Sequence, residues 1–362
     1  MGRMLIQQAI NYNLHVEVMD ADPAAPCSAI ANGFTCAPIT DYEAVLAFGR
    51  QCDLLTIEIE NVNVEALHQL AVEGVAVYPQ PEVIGLIRDK VKQKQFYRQH
   101  GIPTAPFRTV QNRQEVGDCG LAMPFVNKLA TAGYDGRGVQ VIRSEADLPK
   151  AFDAPGLVEE FVDFDKEIAV IVAHNRAGEI AAFPVVELVF HPQHNLVEYL
   201  KMPARLPAAV ELAAVELAVE IIKKLDMTGL LAVEMFVTRD RQVLVNEVAP
   251  RTHNSGHQTI EACTTSQFDQ HLRAILNLPL GDTTLHTPAM MVNLLGEPGH
   301  TGPARYEGLR EVLALPGVHV HLYGKAITKP YRKMGHVTIT GRHEDKLQET
   351  AKFVQQTLKV KT

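Results

Sequence analysis

The strongest constraint on this chain is a tight polar turn, Arg239-Asp240-Arg241, between two apolar runs, LLAVEMFVT (230–238) and QVLVNEV (242–248). Strand-forming segments this close pair antiparallel, and the turn sets their register. With the turn centred near Asp240, Glu234 lies about opposite Asn246 and Glu247. Carboxylates facing each other across strands repel, and burying them unpaired is costly. Either they lie at a solvated sheet edge, or a hard divalent cation sits between them. Carboxylate and amide oxygens suit magnesium, especially magnesium shared with substrate phosphates.

The second strand runs into APRTHNSGH (249–257). Arg251 presents a fixed planar fork that suits oxyanions, and His253, Asn254 and His257 can donate or accept around it. Capping and turn chemistry account for Asn254 and Ser255. They do not account for Arg251 four residues beyond a candidate metal ligand.

A glycine-rich loop, Gly133-Tyr134-Asp135-Gly136-Arg137-Gly138, joins two more strand signals within PFVNKLATAGYDGRGVQVI (124–142), and Lys128 precedes it. Glycines let backbone N–H groups approach phosphate oxygens, and a nearby lysine supplies charge. The strand–loop–strand setting and the missing terminal Gly-Lys-Ser/Thr exclude a P-loop. The loop is either a flap over a nucleotide or an ordinary hairpin. Its combination with Lys128 and the Glu234/Glu247 pair favours the flap.

Weaker signals surround these. Glu159-Glu160-Phe161-Val162, followed by Glu167, reads as surface acidity, or as a strand leaving a sheet to offer backbone groups to an adenine edge and a carboxylate to a ribose. KAITKPYRKMGHV (325–337) holds Lys325, Lys329, Arg332 and Lys333, a solvated basic loop or an anion site. HPQH (191–194) reads as an exposed turn rather than a metal pair.

At 362 residues the chain is too long for one ordinary core, so two or three domains are expected. Strand signals at 14–19 and 53–61, with helices at 43–50 and 64–73, form a βαβ pattern and hence a parallel sheet. Period two puts Glu58 and Glu60 on one face of the second strand. The chain opens inside what reads as a first helix, with Gly2 the remnant of a glycine-rich turn. A helix is expected over 82–100, closed by Gly101 and Pro103, then further strand over 157–174. Another helix, over 208–227, buries Val210, Ala214, Leu217, Ile221 and Leu225 and ends at Gly229. Short strands at 318–323 and 335–340 and a last helix at 343–358 complete the pattern.

Net charge is 34 − 42 = −8, which argues against nucleic acid as a partner. No stretch approaches the roughly 18 apolar residues of a membrane span. The start MGRMLIQQAI is too polar for a signal peptide, and Ile6 breaks a myristoylation signal. Five cysteines without a CxxC pair read as free thiols in a reducing cytoplasm, not a zinc site.

In this order, GRML (2–5), TIEIEN (56–61), RDKVKQKQF (88–96), GYDGRG (133–138), NEVAPRTHNSGH (246–257) and YRKMGH (331–336) resemble the ATP-grasp superfamily. Within it they resemble the 5-(carboxyamino)imidazole ribonucleotide synthases. A related transformylase that uses formate and glycinamide ribonucleotide typically has Asp-Thr-Gly-Met where this chain has Asn254-Ser255-Gly256-His257.

The resemblance implies a mixed α/β and α+β ATP-grasp fold. A Rossmann-like domain lacking its first strand (1–91) would precede an ATP-grasp domain (92–280, lid about 118–180) and a small β-rich C-terminal domain (281–362). It implies ATP and Mg2+ as cofactors, aminoimidazole ribonucleotide and bicarbonate as substrates, and a cytoplasmic homodimer. Lys90 and Lys128 would hold ATP phosphates under the loop Gly133–Val139. Glu159, Glu160, Phe161 and Val162 would line the adenine pocket and Glu167 the ribose. Glu234 and Glu247 would bind Mg2+ beside Asn246. Arg251 and His253 would stand near bicarbonate and carboxyphosphate, with Asn254 and Lys333 completing the catalytic set. Glu58, Glu60 and Asn61 would face the ribonucleotide, and Arg332 and Lys333 phosphate or product.

The chain departs from the family pattern in three places. Lys90 replaces an Arg, which keeps the charge but loses the bidentate fork. Phe190 falls near a nucleotide-contacting His. The first strand and its Gly-x-Gly-Gln-Leu loop are missing before Gly2, whether through a late start codon or a shortened chain. A nucleotide-binding protein without turnover is the alternative this raises.

Overall fold

Helix–strand alternation organises the first ninety residues of the computed structural model, which describes residues 1–131, 138–190 and 197–362. The elements are α1 (Gly2–Asn11), β1 (Glu17–Asp20), β2 (Gly33–Cys36), α2 (Tyr42–Gly49), β3 (Leu54–Leu55), α3 (Val64–Val72), β4 (Ala76–Val77) and α4 (Pro81–Ile87). Both strand pairs, β1–β2 and β3–β4, are parallel, but they form two separate sheets, so the strands read at 14–19 and 53–61 do not share one.

The strand expected over 53–61 is extended in a ladder only at Leu54–Leu55. Glu58 and Glu60 lie in a bend, not on one face of a strand. Their carboxylates are drawn to charged partners, Glu58 to the Met1 ammonium and Glu60 to Arg251. Asn63 then caps α3 by accepting from the Ala66 N–H at 2.8 Å.

The helix expected over 82–100 is two helices, α4 and α5 (Lys90–His100). Asp89 breaks it, because its side chain accepts from the N–H groups of Val91 and Lys92 and so starts a new helix. This cap turns Lys90 and Lys94, one helical turn apart, toward the centre of the molecule. Gly101 closes α5 at φ 68, as expected.

A four-stranded antiparallel sheet follows, in the order β5-β8-β6-β7. It comprises β5 (Phe107–Val110), β6 (Phe125–Leu129), β7 (Val139–Ile142) and β8 (Gly156–Glu160), with the short helix α6 (Arg113–Gly117) after β5. The strand expected over 157–174 is divided, since β8 stops at Glu160 and β9 (Phe164–His174) belongs to a different sheet.

That second sheet carries nine strands among the described residues. Its members are β9, β10 (Ile180–Ala182), β11 (Val186–Phe190), β12 (Val197–Met202), β13 (Gly229–Thr238), β14 (Val243–Ala249), β15 (Ala289–Leu295), β18 (Val318–Leu322) and β20 (Lys333–Thr340). The order is β14-β13-β9-β11-β12-β15-β20-β18, with β10 on β9. The sheet thus runs unbroken across residue 281, through the β12–β15 ladder.

Helix α7 (Ala208–Lys224) covers one face, burying Val210, Ala214, Leu217 and Ile221 against Val170, Val172 and Leu231. Each such side chain stabilises the fold by about 1.5–3 kcal/mol when fully buried. The helix ends before Gly229: Asp226 takes the left-handed turn at φ 47, and Gly229 opens β13 instead. Gln80 braces that turn, donating to the Asp226 carbonyl at 2.7 Å and accepting from the Thr228 N–H at 3.0 Å. After β14 come α8 (Thr259–Ala262) and α9 (Gln267–Ile275), and α9 packs Phe268, Leu272 and Ile275 on Met4, Leu5 and Ala9 of α1. Beyond β15 the chain adds β16 (Gly302–Pro303), β17 (Arg305–Glu307), α10 (Leu309–Leu313), β19 (Ile327–Thr328), α11 (Glu344–Thr357) and β21 (Lys359–Lys361). The α11 residues Leu347, Ala351 and Val354 pack on β15 and β20.

Candidate active site

The β13–β14 hairpin forms the register that its turn predicts, with Glu234 directly opposite Glu247. A β-bulge follows, because the next pair is Met235 with Val245 and Asn246 is the extra residue. In a regular strand Asn246 and Glu247 would point to opposite faces. The bulge lets both reach one cleft, which they line with Lys90, Gln93, Lys94, Lys128 and Glu159.

Lysines meet these side chains from two other elements. Lys90, from the start of α5, makes an ion pair with Glu247. Lys128, from β6, donates to Asn246 Oδ1 at 3.0 Å and pairs with Glu159 Oε2 at 2.8 Å. The other oxygen of Glu159 lies 2.8 Å from Lys94 Nζ. Burial pushes the Glu159 carboxyl up, but Lys128 and Lys94 outweigh it and hold the group below its usual range. The Glu159 side chain is therefore taken up by two lysines, which leaves only its backbone for the adenine edge that the sequence reading assigned to it. It lies on β8 with its carboxylate toward α5, and alternation leaves its neighbour Glu160 exposed.

The acidic trio in the cleft titrates unevenly. Lys90 holds Glu247 well below the usual carboxylate range despite burial. Burial pushes Glu234 up, and Glu247 adds to this, against Lys90, Lys333 and Arg251. Glu167 on β9 is likewise raised by burial, then by Glu234 and Glu247.

Next to Glu234 the chain turns through the Arg251 segment. His253 Nε2 lies 3.5 Å from Glu234 Oε1, and its Nδ1 meets Ser255 Oγ at 2.9 Å. Gln267 fixes that turn from α9, accepting from the His253 N–H and donating to its carbonyl. Arg251 Nε sits 2.8 Å from Glu60 Oε1, and its Nη1 donates to the Thr252 carbonyl at 3.0 Å. Asn254 Oδ1 is buried without a hydrogen-bond partner among the described residues. The positive charge of Lys333 pulls the Glu234 carboxyl down.

Glu58 accepts from the Met1 ammonium at 2.9 Å and from the Gly2 N–H at 2.8 Å, while Asn61 is exposed. Arg332 folds back on its own loop, donating to the Ile327 carbonyl at 2.6 Å. Between β8 and β9, Phe161 is 38% exposed and Val162 half-buried. Of the loop Gly133–Val139, Gly138 takes φ 77 and Val139 pairs with Lys128 across the β6–β7 ladder. Gly133, Tyr134, Asp135, Gly136 and Arg137 lie outside the described residues, as does HPQH (191–194).

Three features escaped the sequence reading. Lys94 is buried, although its i,i+4 spacing from Lys90 was a signal. Thr104 accepts from Lys94 and donates to the Val245 carbonyl. His257 is interior at 2% exposure rather than ranged around Arg251, and its ring stacks on His336 at 4.5 Å, which stacks on His321 at 4.5 Å. The His257 ring also meets Phe268 at 5.8 Å and the Gln267 amide at 3.2 Å, both from α9, whereas His336 comes from β20, 79 residues away.

Two lysines and a neighbouring Arg–His turn can neutralise a chain of phosphates and an adjoining oxyanion, and the facing carboxylate pair can hold a cation beside them. Residues 1–88 match the family described as the ribonucleotide synthetase preATP-grasp domain. Residues 95–268 match the ATP-grasp domain, and residues 289–350 the phosphoribosylaminoimidazole carboxylase C-terminal domain. N5-carboxyaminoimidazole ribonucleotide synthase of Synechococcus elongatus is 42% identical over 341 residues, 92% of this chain and 84% of that protein. The crystal structure of N5-carboxyaminoimidazole ribonucleotide synthetase from Thermotoga maritima superimposes with a TM-score of 0.92 at 40% identity, covering 100% of this chain and 96% of that one. The Aspergillus clavatus N5-carboxyaminoimidazole synthase, in complex with ADP and 5-aminoimidazole ribonucleotide, does so with a TM-score of 0.88 at 34% identity, covering 98% and 94%. With all three segments matched in order, the chain belongs to the N5-carboxyaminoimidazole ribonucleotide synthase family of ATP-grasp proteins.

Proposed function

We propose that the chain uses ATP and bicarbonate to carboxylate 5-aminoimidazole ribonucleotide, releasing ADP and phosphate. The observation that carries this is the Glu234–Glu247 pair with Lys90, Lys128, Arg251 and His253 around it. The ADP and aminoimidazole ribonucleotide held by the Aspergillus clavatus relative supply the substrate class.

Bicarbonate is a poor electrophile. One of its oxygens attacks the γ-phosphorus of ATP, ADP leaves, and carboxyphosphate results. Loss of phosphate then yields carbon dioxide beside the amine of the ribonucleotide, which attacks its carbon. Lys90 and Lys128 would neutralise nucleotide phosphates, and Arg251 would grip the bicarbonate-derived oxyanion with its planar fork. Glu60 holds the Arg251 guanidinium ready. His253, set by Ser255 and Gln267, would hold or release a proton at Nε2, with Asn254 and Lys333 beside it. Glu167 would take the ribose, and the backbone of Glu160, Phe161 and Val162, with that of Glu159, would border adenine. The loop Gly133–Val139 would exclude water from the short-lived intermediate. Glu58, Glu60 and Asn61 would face the ribonucleotide, and Arg332 phosphate or product.

The carboxylate pair fits a magnesium ion. Glu234 and Glu247 face each other in a partly enclosed cleft, and the cost shows in the raised Glu234 acid. No cluster of three or more His, Cys, Asp or Glu arranged for a metal occurs among the described residues. Glu234 and Glu247 would hold the ion, and when bound it would offset the charge of nucleotide phosphate.

A homodimer in a cytoplasmic setting completes the proposal. Cys27, Cys36, Cys52, Cys119 and Cys263 are all free thiols, and no helix among the described residues is long and apolar enough to cross a membrane. Light scattering tests the assembly. The function is tested by ADP release from purified protein. Release should require both aminoimidazole ribonucleotide and bicarbonate, and release indifferent to both would refute the assignment.

A further inference from the structure

We propose that Lys94 is a positioning residue, which frees Lys128 for the nucleotide by taking up the charge of Glu159. This rests on the reading that Lys128 meets nucleotide phosphate.

The geometry is a closed ring. Val245 and Asn246 are consecutive on β14. The Val245 carbonyl accepts from Thr104 Oγ1 at 2.6 Å, and Thr104 accepts from Lys94. Lys94 Nζ lies 2.8 Å from one Glu159 oxygen, and Lys128 Nζ lies 2.8 Å from the other. Lys128 returns to β14 by donating to Asn246 at 3.0 Å. The ring ties α5, the sheet carrying β6 and β8, and the edge strand of the large sheet.

Charge counting gives each member its task. Glu159, with 4% of its side chain exposed, carries one negative charge between two ammonium groups. The three sum to one positive charge, and burial decides where it is offered. Lys94 is 3% exposed and has its donors on Glu159 and Thr104. Lys128 is 10% exposed and reaches the cleft beside Glu247 and Asn246. Without Lys94, Glu159 would be balanced by Lys128 alone, and the surplus charge facing phosphate would vanish. An unmatched carboxylate this buried would also hold Lys128 harder, since charges out of water are expensive to separate. Lys94 bears a burden for this arrangement: burial pulls its ammonium down to about 8, against the pull of Glu159.

The test is equilibrium binding of Mg2+–ADP and of adenosine, which lacks phosphate, to the full-length protein and three variants. Lys94→Met keeps the stem and removes the charge. It should lower the ADP-to-adenosine affinity ratio at least about tenfold, as loss of a charge-assisted contact does. Adding Glu159→Gln to Lys94→Met should restore the ratio to within about threefold of the parent, because Lys128 is released again. A purely structural role for Lys94 would weaken both probes alike and gain nothing from the second substitution. Either of those results, or a parental ratio in Lys94→Met, overturns the inference. Lys128→Met is the control on the underlying reading. If its ratio stays parental, the phosphate assignment of Lys128 fails. If it falls while that of Lys94→Met does not, only the role of Lys94 fails.

Discussion

Lys90, the first residue of α5, forms an ion pair with Glu247 near the end of β14. One is the candidate phosphate contact and the other the candidate metal ligand, and each partners the other. Burial pulls the Lys90 ammonium down, but Glu247 outweighs it and holds the group protonated. Nucleotide and cation would exchange one pair for two, phosphate on Lys90 and metal on Glu247.

Glu247→Gln should therefore lower turnover by more than about 10²-fold, the scale of a lost electrostatic contact to the transition state. The fold should survive, because the Glu247 side chain is 40% exposed and Lys90 can turn to water. Steady-state assays beside a thermal melt check this. Near-parental turnover would remove Glu247 from the metal site.

How far the sequence foretold this cleft depended on distance along the chain. Glu234 and Glu247 could be paired because a three-residue turn sets their register. Lys94 could not, since a lysine in a helix ordinarily reads as solvated and its partner Glu159 lies 65 residues away. Glu58 and Glu60 were placed on a strand by period two, which failed where no neighbouring strand extends the ladder past Leu55. β15 went unread because AMMVNLL lacks alternation. Both of its faces are covered, Met291 lying in one core and Met290, Val292 and Leu294 in another beneath α11, so a mostly apolar run results. The hairpin and the Gly101 close of α5 are local and came out as expected.

Arg251→Ala should reduce kcat by about 10²–10³-fold, the range for removing an oxyanion contact, with little change in ADP affinity. Glu60 pairs with Arg251 at 2.8 Å, so the guanidinium is held by a residue proposed to face the ribonucleotide. Arg251→Lys should not restore the rate, because an ammonium lacks the fork. A variant that lost ADP affinity and kept its kcat would show that Arg251 serves the nucleotide instead.

The stacked imidazoles set an acid limit on stability. Burial holds His257 and His336 well below the usual value, with His336 and His321 respectively adding to it, and burial brings His271 to about 4. Each is neutral when folded and takes a proton when unfolded below about pH 6.5. The unfolded state then binds more protons, so stability falls as pH falls. His336→Phe keeps a ring against His257 and removes one titrating group. Its unfolding free energy should lose about 1.4 kcal/mol per pH unit less than the parent between pH 6 and 5. Urea melts across that range check the slope, and parallel slopes would show that His336 charges in the folded protein.

Metal binding should expel protons from the carboxylates that burial has raised. Glu234 and Glu167 both hold protons more tightly than free carboxylates, by burial first and then by their acidic neighbours. Raised groups stabilise the ligand-free fold below the ordinary carboxylate value, and that contribution is lost as pH rises through the folded one. A divalent cation requires the ionised form. Binding of preformed Mg2+–ADP should then tighten as pH rises from 6 to 8 and should release protons at pH 7. Titration calorimetry in two buffers of different ionisation heat measures the release. Glu234→Gln should diminish it, since the remaining raised acid, Glu167, loses the neighbour that raises it most after burial. Zero proton exchange in the parent protein would mean that the cation does not sit on this carboxylate pair.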